Sequence, residues 1–479
     1  MQKLCKFDKV VLFDEKTTVF PKREDFLDDR DIRAIESRIA AKKPILFMAN
    51  TAKEYLMDSY AGTQILLIGH THCGRKASVL LNNIEIYIDV FPADIIYNSS
   101  DPRIASINEL LYDKDFISKS NIEKLEILSQ FSVFREFTEE VSLFCELNKV
   151  PNKAPVYKYI FELGMRPQFL GFRLFFKTLK AQREATNKYD GKLSGALTNK
   201  KFFVASYSSK ANNFVDTTAA RYDIHIGSWA KLRAYEQPNR AVTKCHYNFV
   251  VDIKNYQQFK ESEFAELGVT PESLNICRSL YCAIDIETAN TAKNEDLKAE
   301  SNNKNILSTD NEVFNIGCVF CLETSQASDM FCVNIINTNA PKSVIMRNYK
   351  LFYIPNSFTI VTYDTYGTLL AFILLIQNTR PDFMPGFNSL DFDLPQVLLT
   401  LRVNNLFDRF YSLASVMNSD DLANFKYTYR YNSCEYRHNS GGYTYWSNAK
   451  TTSQVSGISG IHKNVCHKVA RLTLGGSVG

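Results

Sequence analysis

Apolar and polar positions change their rhythm along this chain near residue 275. Before that point, short apolar strands alternate with helical stretches. Asp31 to Lys42 sets Ile32, Ile35 and Ile39 on one helical face, and Pro44 closes that helix before an apolar strand at Ile45 to Met48. Ile65 to Ile68, Ala77 to Leu81 and Ile84 to Val90 read as strands. Asn82-Asn83, whose side chains tolerate positive φ, predicts a hairpin between the last two. Asn121 to Leu147 is helical, with Ile122, Leu125, Leu128, Phe134, Phe137, Val141 and Phe144 recurring at threes and fours. Lys158 to Leu163 reads as a helical turn ended by Gly164. Phe169 to Leu179, Phe202 to Ser206, Tyr222 to Ile226 and Tyr247 to Ile253 read as strands, with Trp229 packing beside the third.

Beyond residue 275 the pattern sharpens. Tyr281 to Thr288 is a short strand in which Asp285 and Glu287 share one side and Ile284 and Ile286 take the other. The polar stretch Thr291 to Asn311 predicts an exposed insertion, followed by strands at Val313 to Cys321, Met330 to Ile336 and Phe358 to Tyr363. Thr365 to Asn378 is apolar nearly all round, which predicts a buried helix, and Thr379-Arg380-Pro381 ends it. A short strand and turn follows at Asp382 to Asn388. Pro395 suits a first helical turn, so Asp393 falls at the start of the helix Gln396 to Arg402, where a carboxylate is electrostatically favoured.

Composition narrows the class without naming a function. A chain of 479 residues exceeds one hydrophobic core and implies two or three domains. Its 45% hydrophobic and 23% charged content is that of a folded protein. The 56 Lys and Arg against 52 acids leave a formal charge of +4, so a nucleic-acid partner is neither demanded nor excluded. The longest strongly apolar run, Leu369 to Ile376, is far short of the ~20 residues a membrane span needs. Lys3, Lys6, Asp8 and Lys9 interrupt the first apolar residues, unlike a signal peptide. These features, with 11 scattered cysteines, predict a soluble intracellular protein with reduced thiols and no membrane partner.

Several clusters could carry chemistry. Asp285 and Glu287 on one strand can hold a divalent metal, although an acid-x-acid triplet also arises by chance. His70, His72 and Cys73 precede a strand, where the plainer expectation is a solvated loop rather than a metal site. The basic segment from Lys177 to Lys201 reads as a solvated face that could also meet phosphates. Cys318 and Cys321 form a C-x-x-C, but three residues apart on a strand they point to opposite faces and are expected in the core. In the tail, Tyr427, Tyr429, Arg430, Tyr431, Tyr436 and Arg437 interleave rings and cations, either as a single-strand stacking platform or as an ordinary edge strand. Cys434, His438, His462 and Cys466 carry a weak zinc pattern.

Two of these stretches together carry a family resemblance. Asp285-Ile286-Glu287-Thr288 resembles the first proofreading-exonuclease motif of family B DNA polymerases. Gly386-Phe387-Asn388-Ser389-Leu390-Asp391-Phe392-Asp393-Leu394-Pro395 resembles the second. Ile316-Gly317-Cys318-Val319 and Arg380-Pro381-Asp382 also look like that family. Gly74-Arg75-Lys76-Ala77, Ile86 to Val90 and the Trp229 segment look like the N-terminal domain of polymerases from large DNA viruses.

The resemblance implies an α+β N-terminal domain over 1–275, an α/β ribonuclease-H-like exonuclease domain with a mixed sheet over 276–425, and an irregular tail over 426–479. It implies two Mg²⁺ or Mn²⁺ ions, with Asp285 bridging both, Glu287 completing one site and Asp393 supporting the other. Asp391 is set aside because the family pattern places the acid directly after Phe. Thr288, Phe387, Asn388 and Phe392 are implied to line the substrate, a single-stranded 3′ end or primer-template DNA. The remaining polymerase domains or a processivity factor would be protein partners, in a host nucleus or a cytoplasmic viral factory.

The sequence also departs from that family. No Tyr-x-x-x-Asp follows Asp393, and the last acidic residue is Glu435. The palm motifs of a polymerase are missing as well, and Asp364-Thr365-Tyr366 does not supply them. The expectation is therefore the N-terminal part of a longer or split polymerase carrying the 3′-5′ exonuclease. The alternative is a non-catalytic DNA-binding or assembly module derived from one.

Overall fold

The computed structural model describes residues 3–55, 63–97, 102–159, 167–190, 202–207, 214–274, 278–290, 311–322, 330–338, 357–385 and 392–416, scattered positions within 340–355, and the strands 428–431 and 434–437. Strand β1 (Lys9–Leu12) is followed by helix α1 (Asp29–Ala40), whose N-cap Asp28 accepts from the Arg30 amide and whose Ile32 and Ile35 are buried. Strands β2 (Ile45–Tyr55), β3 (Gln64–Thr71), β4 (Lys76–Asn82) and β5 (Ile86–Pro92) come next. Helices α2 (Asn121–Leu128) and α3 (Ser132–Leu147) lead to β6 (Asn152–Lys158) and β7 (Phe169–Phe176). Helix α4 (Leu179–Asp190), strand β8 (Phe202–Tyr207), helix α5 (Phe214–Tyr222) and strands β9 (Trp229–Leu232), β10 (Tyr247–Asp252) and β11 (Tyr256–Gln258) complete this part.

These strands form two sheets, one ordered β10-β4-β3-β2-β9-β11 and the other β6-β7-β5-β8. A single core joins them, with Phe47, Phe91, Phe134, Phe137 and Phe249 almost wholly buried. Each such side chain contributes about 1.5–3 kcal/mol relative to exposure.

Five expectations from the sequence are corrected here. Asn83 does take a positive φ of 56°, yet β4 and β5 do not form a hairpin: they lie in different sheets, β4 between β3 and β10 and β5 between β7 and β8. The hairpin in this region is β3 with β4, turned through Gly74 at φ 86°. Lys158 ends a strand rather than starting a helical turn. Leu179 opens a helix rather than closing a strand. Tyr222 ends helix α5, where a strand was expected. In each of these last three, cross-strand and core contacts override a short apolar run that periodicity alone does not assign. Finally, His70, His72 and Cys73 are buried rather than solvated, because β3 runs through the interior and its turn is covered by residues near 278.

The second part is built on β12 (Leu280–Asn290), β13 (Asn311–Leu322), β14 (Phe331–Asn337) and β15 (Ser357–Thr362). The order is β1-β15-β14-β13-β12. The last three strands are antiparallel, while β14–β15 and β15–β1 are parallel, so the sheet is mixed as expected. The opening residues of the chain thus supply an edge strand to this sheet, and Phe7 seats its ring 5.4 Å from that of Phe358. Helix α6 (Thr365–Thr379) is capped by Asp364, which accepts from the Gly367 amide at 2.6 Å. It buries Leu369, Phe372, Ile373, Leu375 and Ile376 against the sheet. Arg380 at φ 44° ends it, in the position a left-handed cap occupies. Helices α7 (Asp393–Val403) and α8 (Phe407–Ala414) close the second core, and the tail carries an antiparallel pair, β16 (Thr428–Tyr431) with β17 (Cys434–Arg437). Among the described residues no helix is long and apolar enough to cross a membrane.

Candidate active site

Strand β12 sorts its residues by side. Leu280, Cys282, Ile284 and Ile286 are buried in the second core, while Asp285 and Glu287 are exposed on the opposite face and Thr288 is half-buried. The pairing with β13 slips by one residue between Glu287 and Thr288, a bulge opposite Phe314, at the point where the second carboxylate is aimed. Gly317 stands opposite Asp285. Among the described residues a Cβ there would touch only the Asp285 carbonyl oxygen, at 3.8 Å.

The third carboxylate arrives from the other end of the domain. After α6 the chain returns along the free edge of β12, where backbone bonds join Asp382 N to Leu280 O (2.7 Å), Cys282 N to Phe383 O (2.9 Å) and Ile284 N to Pro385 O (3.3 Å). This short parallel bridge lays the segment before the second motif beside the strand that carries the first. Helix α7 begins at Asp393. Gln396, wholly buried, donates to the Asn311 carbonyl at 3.3 Å and fixes that helix against β13.

Asp393 is 7% exposed, and its carboxyl is pushed up to about 6. Burial is the larger cause, and the charges of Asp285 and Glu287 add to it. The three acids therefore share one negative field, and no cation among the described residues offsets it at Asp393. Across from Glu287, the side-chain oxygen of Asn315 is buried without a hydrogen-bond partner among the described residues. Carboxylates and an orphaned amide oxygen are hard donors, the kind that suit Mg²⁺ or Mn²⁺. Among the described residues, however, no three His, Cys, Asp or Glu side chains lie close enough to enclose an ion.

Of the other residues singled out in the sequence, Phe392 precedes α7 and leans on the second core. Phe387, Asn388 and Asp391 lie outside the described residues, as do the side chain of Cys434 and residues His438, His462 and Cys466. Cys318 is buried and Cys321 is half-buried. Of the basic segment, Lys180 and Arg183 stand on α4, and Arg183 pairs with Glu54 at 3.2 Å.

Sequence reasoning met His70 only in a turn cluster and Lys76 and Asp382 only in family-like segments, and it named neither Arg23 nor Arg278, so the set that fixes the start of β12 was missed. Arg278 donates to the His72 carbonyl and to Asp31, both at 2.6 Å. His70 Nε2 lies 3.0 Å from the Ser279 hydroxyl. Asp382, fully buried, accepts from Leu280 N, from Lys76 Nζ at 2.9 Å and from Arg23 at 2.5 Å. The available signal was four cationic or imidazole residues, Arg23, His70, Lys76 and Arg278, at otherwise apolar or turn positions.

Residues 207–437 match the family model described as DNA polymerase family B, exonuclease domain. Among solved structures, the family B DNA polymerase from the hyperthermophilic archaeon Pyrobaculum calidifontis aligns with 76% of this chain at 11% identity and a TM-score of 0.41. The chain corresponds to 33% of that polymerase's length. No curated protein matches it.

Proposed function

We propose that the second part of this chain is a 3′-5′ exonuclease that removes terminal nucleotides from a single-stranded DNA end as the proofreading module of a viral-type replicative polymerase. What carries this reading is the grouping of Asp285, Glu287 and Asp393 from two separate elements into one uncompensated negative field. The viral-type assignment rests on the resemblance of the Gly74 to Ala77, Ile86 to Val90 and Trp229 segments.

In this reading Asp285 and Glu287 hold ions from the rigid face of β12, and Asp393 holds one from the start of α7. Two Mg²⁺ or Mn²⁺ ions, when bound, neutralise the scissile phosphate, activate a water and stabilise the departing 3′ oxygen. Thr288, Phe387, Asn388 and Phe392 flank the frayed strand.

The test is release of nucleotides from a 3′-labelled single-stranded oligonucleotide in Mn²⁺. The variant Asp285→Ala/Glu287→Ala is expected to bind the oligonucleotide but to lose about a thousandfold or more of the release rate, equivalent to several kcal/mol of transition-state stabilisation. Undiminished release by that variant refutes the site. A second reading, a non-catalytic DNA-binding or assembly module, is favoured by one observation: among the described residues the three acids do not close on a common point. It predicts binding without release from the unaltered chain.

A further inference from the structure

The start of β12 is held by charges that the apolar core around it would be cheaper without. Asp382 is 0% exposed, Lys76 2% and Arg23 4%, so two cations and one acid are sealed together between the first sheet and the second. Desolvating three charges costs more than an apolar trio of the same volume, so stability alone is a poor reason for such a cluster. Its geometry supplies another.

One oxygen of Asp382 accepts from Leu280 N at 2.9 Å while the Asp382 amide donates to Leu280 O at 2.7 Å, so the residue grips Leu280 from both sides. Lys76 Nζ reaches Asp382 at 2.9 Å and the Pro381 carbonyl at 3.0 Å. Arg23 reaches Asp382 at 2.5 Å, the Arg380 carbonyl at 2.8 Å and, on its other edge, the Gly74 carbonyl at 2.7 Å. Apart from the Arg23 bond to Gly74, these contacts all fall on the segment 380–382 or on Leu280.

That grip is the first rung of the ladder that continues through Phe383 and Pro385. The ladder sets how residues 382–385, which precede Asp393 in the chain, lie against the strand bearing Asp285 and Glu287. A slip of one residue there would carry one segment about 3.3 Å past the other.

We infer that Asp382 is a positioning residue for the three carboxylates, and that Arg23 and Lys76, acting through it, make the register of β12 depend on the N-terminal sheet. The inference rests on the exonuclease reading for its consequence in chemistry, but not for its consequence in structure. Two variants test it. Asp382→Asn leaves Arg23 and Lys76 without their acid, whereas Arg23→Met/Lys76→Met/Asp382→Leu replaces the cluster by apolar side chains and keeps a folded chain if the first variant does not fold.

In either, amide exchange at Cys282 and Ile284 is expected to rise roughly ten- to hundredfold relative to Val319 and Val333, the loss of a charge-assisted hold. The turnover rate on single-stranded DNA falls by roughly the same factor with KM unchanged. Uniform acceleration of exchange across the sheet, or a folded triple variant with unaltered exchange and turnover, overturns the proposal. If the unaltered chain releases no nucleotide, the exonuclease reading fails, and the exchange ratio alone decides the positioning role.

Discussion

Asp382 and Asp393 are both buried, lie eleven residues apart and border the same strand, yet they sit in opposite fields. Around Asp382 burial would raise the carboxyl, but Arg23, Lys76 and His70 more than reverse it and hold the group well below the ordinary carboxylate range. Around Asp393 burial also raises the carboxyl, and the nearest charges, Asp285 and Glu287, raise it further. The first acid is satisfied by the protein itself. The second has only like charges acting on it, and the proposed site rests on that imbalance.

The comparison breaks most visibly at Asp382. Asp382→Asn leaves two cations buried against a neutral amide, and the chain is expected to lose about 3–5 kcal/mol of stability, the usual consequence of removing one partner of a buried pair. Urea unfolding at pH 7 measures it. A loss below about 1 kcal/mol would mean that the cations find other partners and that the two aspartates differ less than their surroundings suggest.

The sequence made the second sheet legible and left the grip on it hidden. Strict alternation from Leu280 to Glu287 and the all-round apolar helix Thr365 to Thr379 each bury a whole face, so their period decides their structure. That Asp285 and Glu287 share one side of a strand and that Asp393 opens a helix could be read from the pattern, while grouping them as a site rested on the family resemblance. Arg23, His70, Lys76 and Asp382 meet across separations of up to 359 residues, and no local pattern predicts that. The same holds for β4 and β5: Asn83 turned as its chemistry requires, but which sheet each strand joined depended on partners as distant as Phe176 and Tyr207.

His70 offers a smaller test of the same surroundings. Burial lowers it to about 4; Asp382 pulls the other way, and Arg23 and Lys76 again oppose protonation. The imidazole is therefore neutral when folded, and its contacts with the Thr71 carbonyl and the Ser279 hydroxyl suit one donor and one acceptor nitrogen. The unfolded chain takes up this proton near pH 6.5, so the contribution is fully present above that pH and is lost as pH falls toward 4. By pH 5 the loss is about 2 kcal/mol. Asp382, whose pKa is lowered, is lost only in a more acidic window, below the unfolded carboxylate value of ~4. Urea midpoints between pH 7 and 5 should therefore slope downward with acid, and His70→Gln should flatten part of that slope. An unchanged slope would place the proton uptake elsewhere.

The smallest effect is the most discriminating, because it reverses sign. Asp393→Asn preserves shape while removing a buried negative charge from beside Asp285 and Glu287. Against that relief stands the attraction of a helix start for an anion, about 0.3–1 kcal/mol. In chelator at pH 7 the variant is expected to be more stable than the parent by about 1 kcal/mol, a residue kept for function at the expense of stability. Adding Mg²⁺ or Mn²⁺ should then stabilise the parent and leave the variant nearly unmoved, since an ion that binds only the folded state raises its stability in proportion to affinity. Thermal unfolding with and without the ion reads both halves. If Asp393→Asn instead loses stability in chelator, as Asp382→Asn does, then Asp393 has a protein partner, and the acids on β12 and α7 are a structural cluster rather than a site awaiting cations.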